Sequence, residues 1–164
     1  MKNLLIINTG GTFNKRYDPI KGILEVVPDN TIVDEILKKW LCGFEILNII
    51  GKDSLDITTQ DRMELLATIN MSNYDDFIVI HGTDTMDLTA EYLADAETEK
   101  RIVLTGAMVP YSIDPTEATA NLSSAIGYLQ KQDNEGVYIA MNGVFGSYEK
   151  IKKDREKGKF IFRS

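Results

Sequence analysis

The chain has 164 residues, 43% of them hydrophobic and 26% charged, a composition that indicates one globular domain and excludes a disordered chain. A net charge of -7 disfavours a nucleic-acid-binding protein, because such proteins present a basic surface to phosphates. A single cysteine, Cys42, and a single histidine, His81, exclude an internal disulfide and a Cys/His zinc site, so no metal is expected. The apolar run at residues 4–7 is too short for a membrane span or a signal peptide, which predicts a cytoplasmic protein without a membrane partner.

Short apolar runs alternate along the chain with longer segments that have helical periodicity. The runs predict buried strands over residues 4–7, 44–50, 77–80, 102–104 and 137–141. The periodic segments predict helices over residues 30–40, 59–71, 87–96 and 117–130. Strands separated by helices indicate an α/β fold: a single domain with an open, mostly parallel sheet, helices on both faces in a Rossmann-like three-layer arrangement, and right-handed crossovers.

Two further features of the fold are predicted from local patterns. In the second helix, Met63, Leu66 and Ala67 fall on one side, which predicts that this side is buried. After Asn142 the chain is polar and mixed in charge. This composition predicts either a surface loop or a segment that faces a partner.

The residues that follow the predicted strands are small, hydroxylated or acidic. In an open parallel sheet the carboxyl ends of the strands meet at one edge, where ligands bind. The segments collected at this edge are Thr9-Gly10-Gly11-Thr12, Asp53-Ser54, His81-Gly82-Thr83-Asp84-Thr85, Thr105-Gly106 and Asn142-Gly143. The sequence therefore predicts a ligand site at this edge.

The first of these segments is a glycine-rich turn that presents a hydroxyl group. Gly11 lets the backbone approach a ligand, and Thr12 can attack a carbonyl carbon once a base removes its proton. A plain turn at the strand end is the alternative. Lys15 and Tyr17 follow and belong either to a mobile flap or to an exposed loop. The chain lacks the glycine patterns of dinucleotide and phosphate-loop sites and the G-x-S-x-G elbow, so no cofactor is expected and a serine hydrolase is disfavoured.

The segment after the third strand carries a second hydroxyl beside a fixed negative charge. Thr83 supplies the hydroxyl, and Asp84 suits a substrate ammonium group or the orientation of a base, unless it caps the following helix. His81 invites comparison with a Ser-His-Asp triad, yet a structural role is favoured because the segment makes chemical sense without a histidine base. Ser54 either binds a substrate carboxylate or caps the helix that begins at residue 59.

Together these motifs resemble the N-terminal domain of the bacterial-type L-asparaginase family, and in particular its short-chain members. The matching motifs are NTGGT at 8–12, DSLDIT at 53–58, HGTDTM at 81–86, TGAMVP at 105–110, the spacing from Glu117 to Asn121-Leu122, and GVYIAMN at 136–142. They occur in the family's order across essentially the whole chain. The resemblance implies one catalytic domain over residues 1–164 and the absence of the family's usual C-terminal domain.

The resemblance also implies a role for each motif residue. Thr12 corresponds to the nucleophile, and Thr83 works with Asp84 and with Lys153, the lysine found when the family pattern is continued without a gap after GVYIAMN. Ser54 holds the substrate α-carboxylate, and Asp84 also holds the α-ammonium group. The implied substrate-binding set further includes Gly11, Gly82, Leu55 and Lys15, and the catalytic set further includes Tyr17.

The chain departs from the family pattern at Leu55 and at Asp154. Leu55 stands where periplasmic-type members often have glutamine, which removes a polar contact with the substrate. Asp154 follows Lys153 where threonine is usual, so the surroundings of the lysine are expected to differ.

The implied reaction is hydrolysis of L-asparagine to L-aspartate and ammonia through a threonine nucleophile and an acyl-enzyme. An amino-acid-binding module with weak catalysis and a subunit of an amidotransferase-like assembly are the alternatives. A homodimer or higher homo-oligomer is expected, because an apolar surface as large as the one a missing domain would have covered is rare in monomers.

Overall fold

The computed structural model describes residues 3–164, which form ten strands and four α-helices. The strands are β1 (Leu4–Gly10), β2 (Lys15–Asp18), β3 (Ile23–Val26), β4 (Glu45–Lys52), β5 (Asp76–Ile80), β6 (Arg101–Thr105), β7 (Gly136–Met141), β8 (Val144–Ser147), β9 (Ile151–Asp154) and β10 (Lys159–Phe162). The helices are α1 (Thr31–Leu37), α2 (Thr59–Met71), α3 (Met86–Asp95) and α4 (Pro115–Leu129). Within residues 3–164, no helix is both long and apolar enough to cross a membrane.

Six strands form the central sheet in the order β4-β1-β5-β6-β7-β8. The first five are parallel, and β8 returns antiparallel to β7 through a turn at Asn142 and Gly143. Both turn residues have positive φ, at 51° and 80°, which is the backbone that a two-residue hairpin turn requires. The predicted single-domain α/β fold with an open, mostly parallel sheet is confirmed, and the five predicted strands are β1, β4, β5, β6 and β7.

Helices cover both faces of the sheet, because successive side chains of a strand point to opposite sides. On one face Ile6 and Ile78 pack with α1 and α4. On the other face Ile7 and Phe77 pack with α2 and α3. All four side chains are fully buried, and burial of each contributes roughly 1.5–3 kcal/mol relative to exposure. The three-layer arrangement holds the loops at the carboxyl edge of the sheet.

The crossovers between parallel strands do not all have the same hand. The connections β5–α3–β6 and β6–α4–β7 advance in the same direction across the sheet, yet α3 and α4 lie on opposite faces. They must therefore have opposite hands. The connections through α1 and α2 share the hand of the α3 connection, so the prediction of uniformly right-handed crossovers is wrong for α4. Its position brings α4 beneath the loop that follows β6.

The second helix has its predicted bounds but buries a different side. Leu65 and Ile69 are buried, whereas Met63 is 49% exposed and Ala67 is also exposed. The predicted buried side, which included Met63 and Ala67, is therefore wrong. The buried stripe begins one turn earlier at Asp61, which takes part in a capping box at the start of α2. A pattern of apolar residues cannot reveal a stripe whose first member is a buried aspartate.

The polar end of the chain forms a strand that extends the sheet and then a hairpin. Here β9 pairs antiparallel with β10, and their side chains Ile151 and Phe160 are 0% and 2% exposed. The prediction of a surface loop is wrong, because these two side chains anchor the hairpin in the core shared with α3. Another hairpin that was not predicted, β2–β3, directly follows the glycine-rich turn after β1.

Candidate active site

The loops after β1, β4 and β5 meet at the carboxyl edge of the sheet. The chain passes outward from β1 to β4 and then returns across β1 to β5, so the direction of winding reverses there. Such a switch point leaves a crevice in which open α/β sheets bind their ligands. Thr12 follows β1 and Thr83 follows β5, so the fold places both threonines at the ends of neighbouring strands.

Glycines allow these loops to touch. Gly11 has φ of 77°, and a Cβ atom there would lie 2.5 Å from the backbone N of Gly82. A Cβ atom on Gly82 would lie 2.5 Å from Ser54 Cβ. No side chain fits at such distances, so the turn after β1 is packed directly against the loops after β4 and β5. Thr12 directly follows Gly11 and Thr83 directly follows Gly82. The two threonines therefore lie next to the contact between these glycines.

A lysine of the last hairpin reaches the hydroxyl group after β5. Lys153 Nζ donates to Thr83 Oγ1 at 2.9 Å and to Asp84 Oδ1 at 2.8 Å. Only 14% of the Lys153 side chain and 8% of Thr83 are exposed, so water screens this cluster weakly. A hydroxyl within hydrogen-bond distance of a possible base, which a third group orients, is the geometry of an activated nucleophile or an activated water.

Asp84 accepts hydrogen bonds from two cationic side chains. Arg155 Nη1 donates to Asp84 Oδ1 at 2.7 Å, and Arg155 Nη2 donates to the Asp84 carbonyl at 2.9 Å. The hydrogen bond from Lys153, and after it the one from Arg155, lowers the pKa of Asp84 below its ordinary value of 3.8. Arg155 was not predicted, although it lies two positions after Lys153, the spacing that puts extended residues on one side.

Ser54 joins the loops after β4 and β5. Its hydroxyl accepts the Asp84 backbone N–H at 3.1 Å, and its carbonyl accepts the Thr85 hydroxyl at 2.8 Å. Ser54 is not the cap of α2, because Thr58 occupies that position and makes a capping box. Asp84 is not the cap of α3 either, because Thr85 occupies the N-cap position of that helix. The capping alternatives for both residues are therefore wrong.

Lys15 connects the β2–β3 hairpin to the same edge. Its Nζ lies 2.7 Å from Asp53 Oδ2, and its carbonyl accepts a hydrogen bond from Ser112 Oγ at 2.7 Å. Burial acts to raise the pKa of Asp53, but the hydrogen bonds from Lys15 and from the Leu55 N–H lower it below 3.8. The ion pair therefore persists at neutral pH and holds the hairpin beside the loop after β4.

Tyr17 and Leu55 lie at the rim of this cluster. Their exposed fractions are 62% and 71%. The Tyr17 hydroxyl lies over the turn of its own hairpin, 3.9 Å from where a Cβ atom of Gly22 would be. Asp154 also turns away from Lys153, since its carboxylate accepts two N–H groups of the β9–β10 turn. The structure thus brings the residues of the loops after β1, β4 and β5 together with Lys153. Tyr17 and Leu55 lie at the exposed rim of this cluster.

A polar network supports the loop after β6 and was not predicted. Glu117 of α4 accepts two backbone N–H groups of that loop at 2.9 and 3.0 Å, and Asn121 donates to one of its carbonyls at 2.9 Å. Asn142 donates to Glu117 and accepts the Phe160 N–H, both at 3.1 Å. The hairpin that carries Lys153 is therefore tied to the same network. The available signal was the four-residue spacing of Glu117 and Asn121, which puts them one helical turn apart.

His81 lies behind the crevice, in the core. It is 1% exposed, and its two ring nitrogens lie 2.7 Å from the Gly82 carbonyl oxygen and 2.8 Å from Thr89 Oγ1. Burial lowers the pKa of His81 to about 4. This placement fits a structural histidine better than the base of a Ser-His-Asp triad, which would contact the attacking hydroxyl.

Comparison with known proteins identifies the relatives of this arrangement. Residues 3–164 match the family model described as asparaginase, N-terminal. A probable periplasmic L-asparaginase of Haemophilus influenzae is 30% identical, over 93% of this chain and 46% of its own length. One subunit of the glutamyl-tRNA(Gln) amidotransferase of Methanococcus vannielii is 29% identical, over 87% of this chain and 35% of its own length. The thermostable L-asparaginase from Thermococcus kodakarensis shares the fold with a TM-score of 0.81 at 23% identity, over 97% of this chain and 50% of that one. The chain thus spans half or less of the length of each of these three relatives.

Proposed function

The chain belongs to the asparaginase family, and on that premise we propose that it hydrolyses L-asparagine to L-aspartate and ammonia through a threonine nucleophile. The observation that carries the proposal is the hydrogen-bonded cluster of Lys153, Thr83 and Asp84 at the switch point of the sheet. An amino acid zwitterion needs one group that binds its carboxylate and another that binds its ammonium. Ser54 and Asp84 are in direct contact and suit these two tasks.

The proposed reaction has two chemical steps. Thr12 Oγ attacks the carbon of the side-chain amide, the C–N bond breaks, and ammonia leaves with the proton that the hydroxyl loses. The product of this step is an ester between Thr12 and the side-chain carboxyl group of aspartate. Water positioned by Thr83 then attacks the ester carbon, and the bond from this carbon to the Thr12 oxygen breaks. Lys153 gives a proton to the leaving Thr12 oxygen and takes up the proton that the water loses, while Asp84 stabilises its ammonium group. Aspartate leaves, and the Thr12 hydroxyl is restored.

The test of the proposed function is ammonia release from L-asparagine by the purified chain. We expect release in proportion to the amount of protein, saturating with substrate. A Thr12→Ala/Thr83→Ala double variant purified in the same way controls for a contaminating hydrolase and should release none. A folded wild-type chain that releases no more ammonia than this control would contradict the proposal.

A subunit role is the second candidate, because one relative is named as part of an amidotransferase. An amino-acid-binding module is a third, and it would explain Ser54 and Asp84 without the lysine. Gel filtration, ligand-binding calorimetry and the ammonia assay on the same preparation separate the three. Turnover by the isolated chain supports the hydrolase, whereas binding of L-asparagine without ammonia release supports the binding module. Turnover that appears only after a partner is added supports the subunit role.

Asparagine is expected to be a better substrate than glutamine. Leu55 offers no hydrogen bond at the rim, so the longer side chain of glutamine is positioned by fewer contacts, and misplacement of the reacting carbon is costly. The difference in kcat/KM should be modest, on the order of 1–3 kcal/mol in transition-state free energy. Leu55→Gln should reduce this difference in kcat/KM between asparagine and glutamine. Equal kcat/KM for both amides in the wild type would remove the role given to Leu55 and leave the catalytic assignment standing.

The chain is also proposed to be a homodimer or higher homo-oligomer. The β2–β3 hairpin exposes Tyr17 and Ile20 by 62% and 94%, and Ile113, in the loop that contacts the hairpin through Ser112, is 62% exposed. Apolar side chains grouped in this way are typical of association surfaces. Light scattering at micromolar protein concentration should give at least twice the monomer mass. Ile20→Lys should lower this measured mass. A wild-type monomer under these conditions would contradict the proposal.

A cytoplasmic location is the last part of the proposal. The lone thiol of Cys42 is exposed and suits a reducing compartment. Because one relative is named as periplasmic, fractionation of the source cells is the appropriate measurement. Recovery of the chain in a periplasmic fraction would overturn this part alone.

A further inference from the structure

His81, the only histidine of the chain, lies in a buried hydrogen-bond relay that the proposed reaction does not use. Arg62 Nε donates to Thr89 Oγ1 at 2.9 Å, and Thr89 Oγ1 lies 2.8 Å from His81 Nε2. At the other end, His81 Nδ1 lies 2.7 Å from the carbonyl oxygen of Gly82. His81 and Thr89 are 1% and 0% exposed, so each polar atom depends on its protein partner.

The chemistry of the partners determines the direction of every bond in this relay. A carbonyl oxygen can only accept, so His81 Nδ1 carries a proton and donates it to Gly82. In a neutral ring Nε2 is then a bare acceptor and receives the Thr89 hydroxyl proton. The oxygen of that hydroxyl keeps a lone pair for Arg62. The relay therefore runs from Arg62 through Thr89 and His81 to Gly82, and each donor has one acceptor.

The ring is neutral under physiological conditions. Burial, together with the positive charge of Arg62 on α2, lowers the pKa of His81 to about 4, against the opposing effects of the Gly82 hydrogen bond and of Asp87 on α3. The Nδ1–H form is therefore expected throughout the neutral range. A protonated ring would bring a second N–H against Thr89 and a positive charge near Arg62.

The accepting carbonyl belongs to the peptide that joins Gly82 to Thr83. Within residues 3–164 there is no cis peptide bond, so the N–H of Thr83 points away from the Gly82 carbonyl and from His81. In the same part of the chain, no backbone or side-chain acceptor pairs with the Thr83 N–H. The relay thus holds the carbonyl side of this peptide, and the N–H group on the opposite side has no hydrogen-bond partner among the described residues.

We propose that His81 is a positioning residue, whose hydrogen bond to Gly82 holds the Gly82–Thr83 peptide so that the Thr83 N–H faces the reacting carbonyl oxygen. Preorganised backbone N–H groups stabilise the oxyanion of acyl transfer, and loss of one costs roughly 10²–10³-fold in rate. His81 itself touches neither substrate nor nucleophile. The expected effect of His81 on kcat rests on the proposed function, whereas the expected tautomer of its ring rests on the relay alone.

The first test is ¹⁵N NMR of the imidazole, which is unambiguous because there is one histidine to observe. We expect a single Nδ1–H tautomer at neutral pH that stays unprotonated until the pH approaches about 4. An Nε2–H tautomer, or protonation near pH 6.5, would overturn the relay. This measurement needs no substrate, so its outcome is independent of whether the chain hydrolyses asparagine.

The second test replaces His81 by asparagine or glutamine, in each of which the amide nitrogen takes the place of one ring nitrogen. The side-chain nitrogen of His81→Asn lies near the position of Nδ1 and can still donate to Gly82, whereas that of His81→Gln lies near Nε2 and cannot. We expect His81→Asn to keep most of the wild-type kcat and His81→Gln to lose about 10–100-fold, with little change in KM. A packing role predicts the opposite order, because glutamine is closer to histidine in volume. Equal kcat values, or a higher kcat for His81→Gln, would therefore overturn the proposal.

A third variant tests the relay without altering the histidine. Thr89→Val keeps the shape of the side chain but leaves Nε2 without its donor, so kcat should fall while KM changes little. Thr68→Val on α2, whose hydroxyl donates to the Glu64 carbonyl of its own helix, is the matched control and should behave as wild type. A normal kcat in folded Thr89→Val would contradict the relay.

Discussion

Replacing Thr12 or Thr83 by alanine is expected to remove nearly all ammonia release, with a fall in kcat on the order of 10⁴-fold or more. Each hydroxyl has its own step, since Thr12 forms the ester and Thr83 positions the water that cleaves it. Neither change should unfold the chain. Without the Thr83 hydroxyl, Lys153 keeps its 2.8 Å hydrogen bond to Asp84, so no buried charge loses its partner.

Circular dichroism and thermal unfolding provide the control for these variants. Thr59→Ala, at an exposed position at the start of α2, is the matched substitution and should retain wild-type turnover. Near-wild-type ammonia release by folded Thr12→Ala or Thr83→Ala would remove that threonine from the mechanism.

Lys153→Met is the second change with a large expected effect. The proposed task of Lys153 is proton transfer beside Thr83, where a positioned acid or base typically contributes about 10²–10⁴-fold. The fall should appear in kcat with a smaller change in KM, because Lys153 does not contact the amino acid in the proposed complex. Asp84 remains paired with Arg155 at 2.7 Å, which limits the loss of stability.

Two neighbouring lysines are the matched controls for Lys153. Lys150 and Lys152 belong to the same segment but are exposed, and neither hydrogen-bonds with Thr83 or Asp84 in the described part of the chain. Lys150→Met and Lys152→Met should therefore have little effect on kcat. An essential Lys150 or Lys152 together with a dispensable Lys153 would show that the C-terminal register is wrong.

The central sheet was predictable because its signal is local. Each strand is an apolar run that a helix-length segment separates from the next, as in residues 77–80 before α3. The β2–β3 and β9–β10 hairpins were not predictable in this way. Strands β9 and β10 have four residues each, and only Ile151 and Phe160 are buried, which is too few for a visible alternation. The position of α4 depends on tertiary contacts that no single segment encodes.

The residues of the candidate site that belong to motifs at strand ends could be predicted from the sequence. Thr12, Thr83 and Ser54 follow recognisable strands, so their meeting follows from the parallel sheet. Lys153 required the family resemblance, because a lysine in a basic run has no local mark of burial. The contact between Arg155 and Asp84 joins residues 71 positions apart, and the contacts of the His81 relay through Thr89 join residues 8 and 27 positions apart. Such contacts become visible only in three dimensions.

The most direct measurement is identification of the covalent intermediate. The wild-type chain should be mixed with L-asparagine, quenched in acid within the first turnover, and mapped by peptide mass spectrometry, with Thr83→Ala included because it should slow cleavage of the ester. We predict an aspartyl ester on Thr12, in both proteins and with a higher occupancy in Thr83→Ala. An ester on Thr83, or the persistence of turnover in Thr12→Ala, would contradict it.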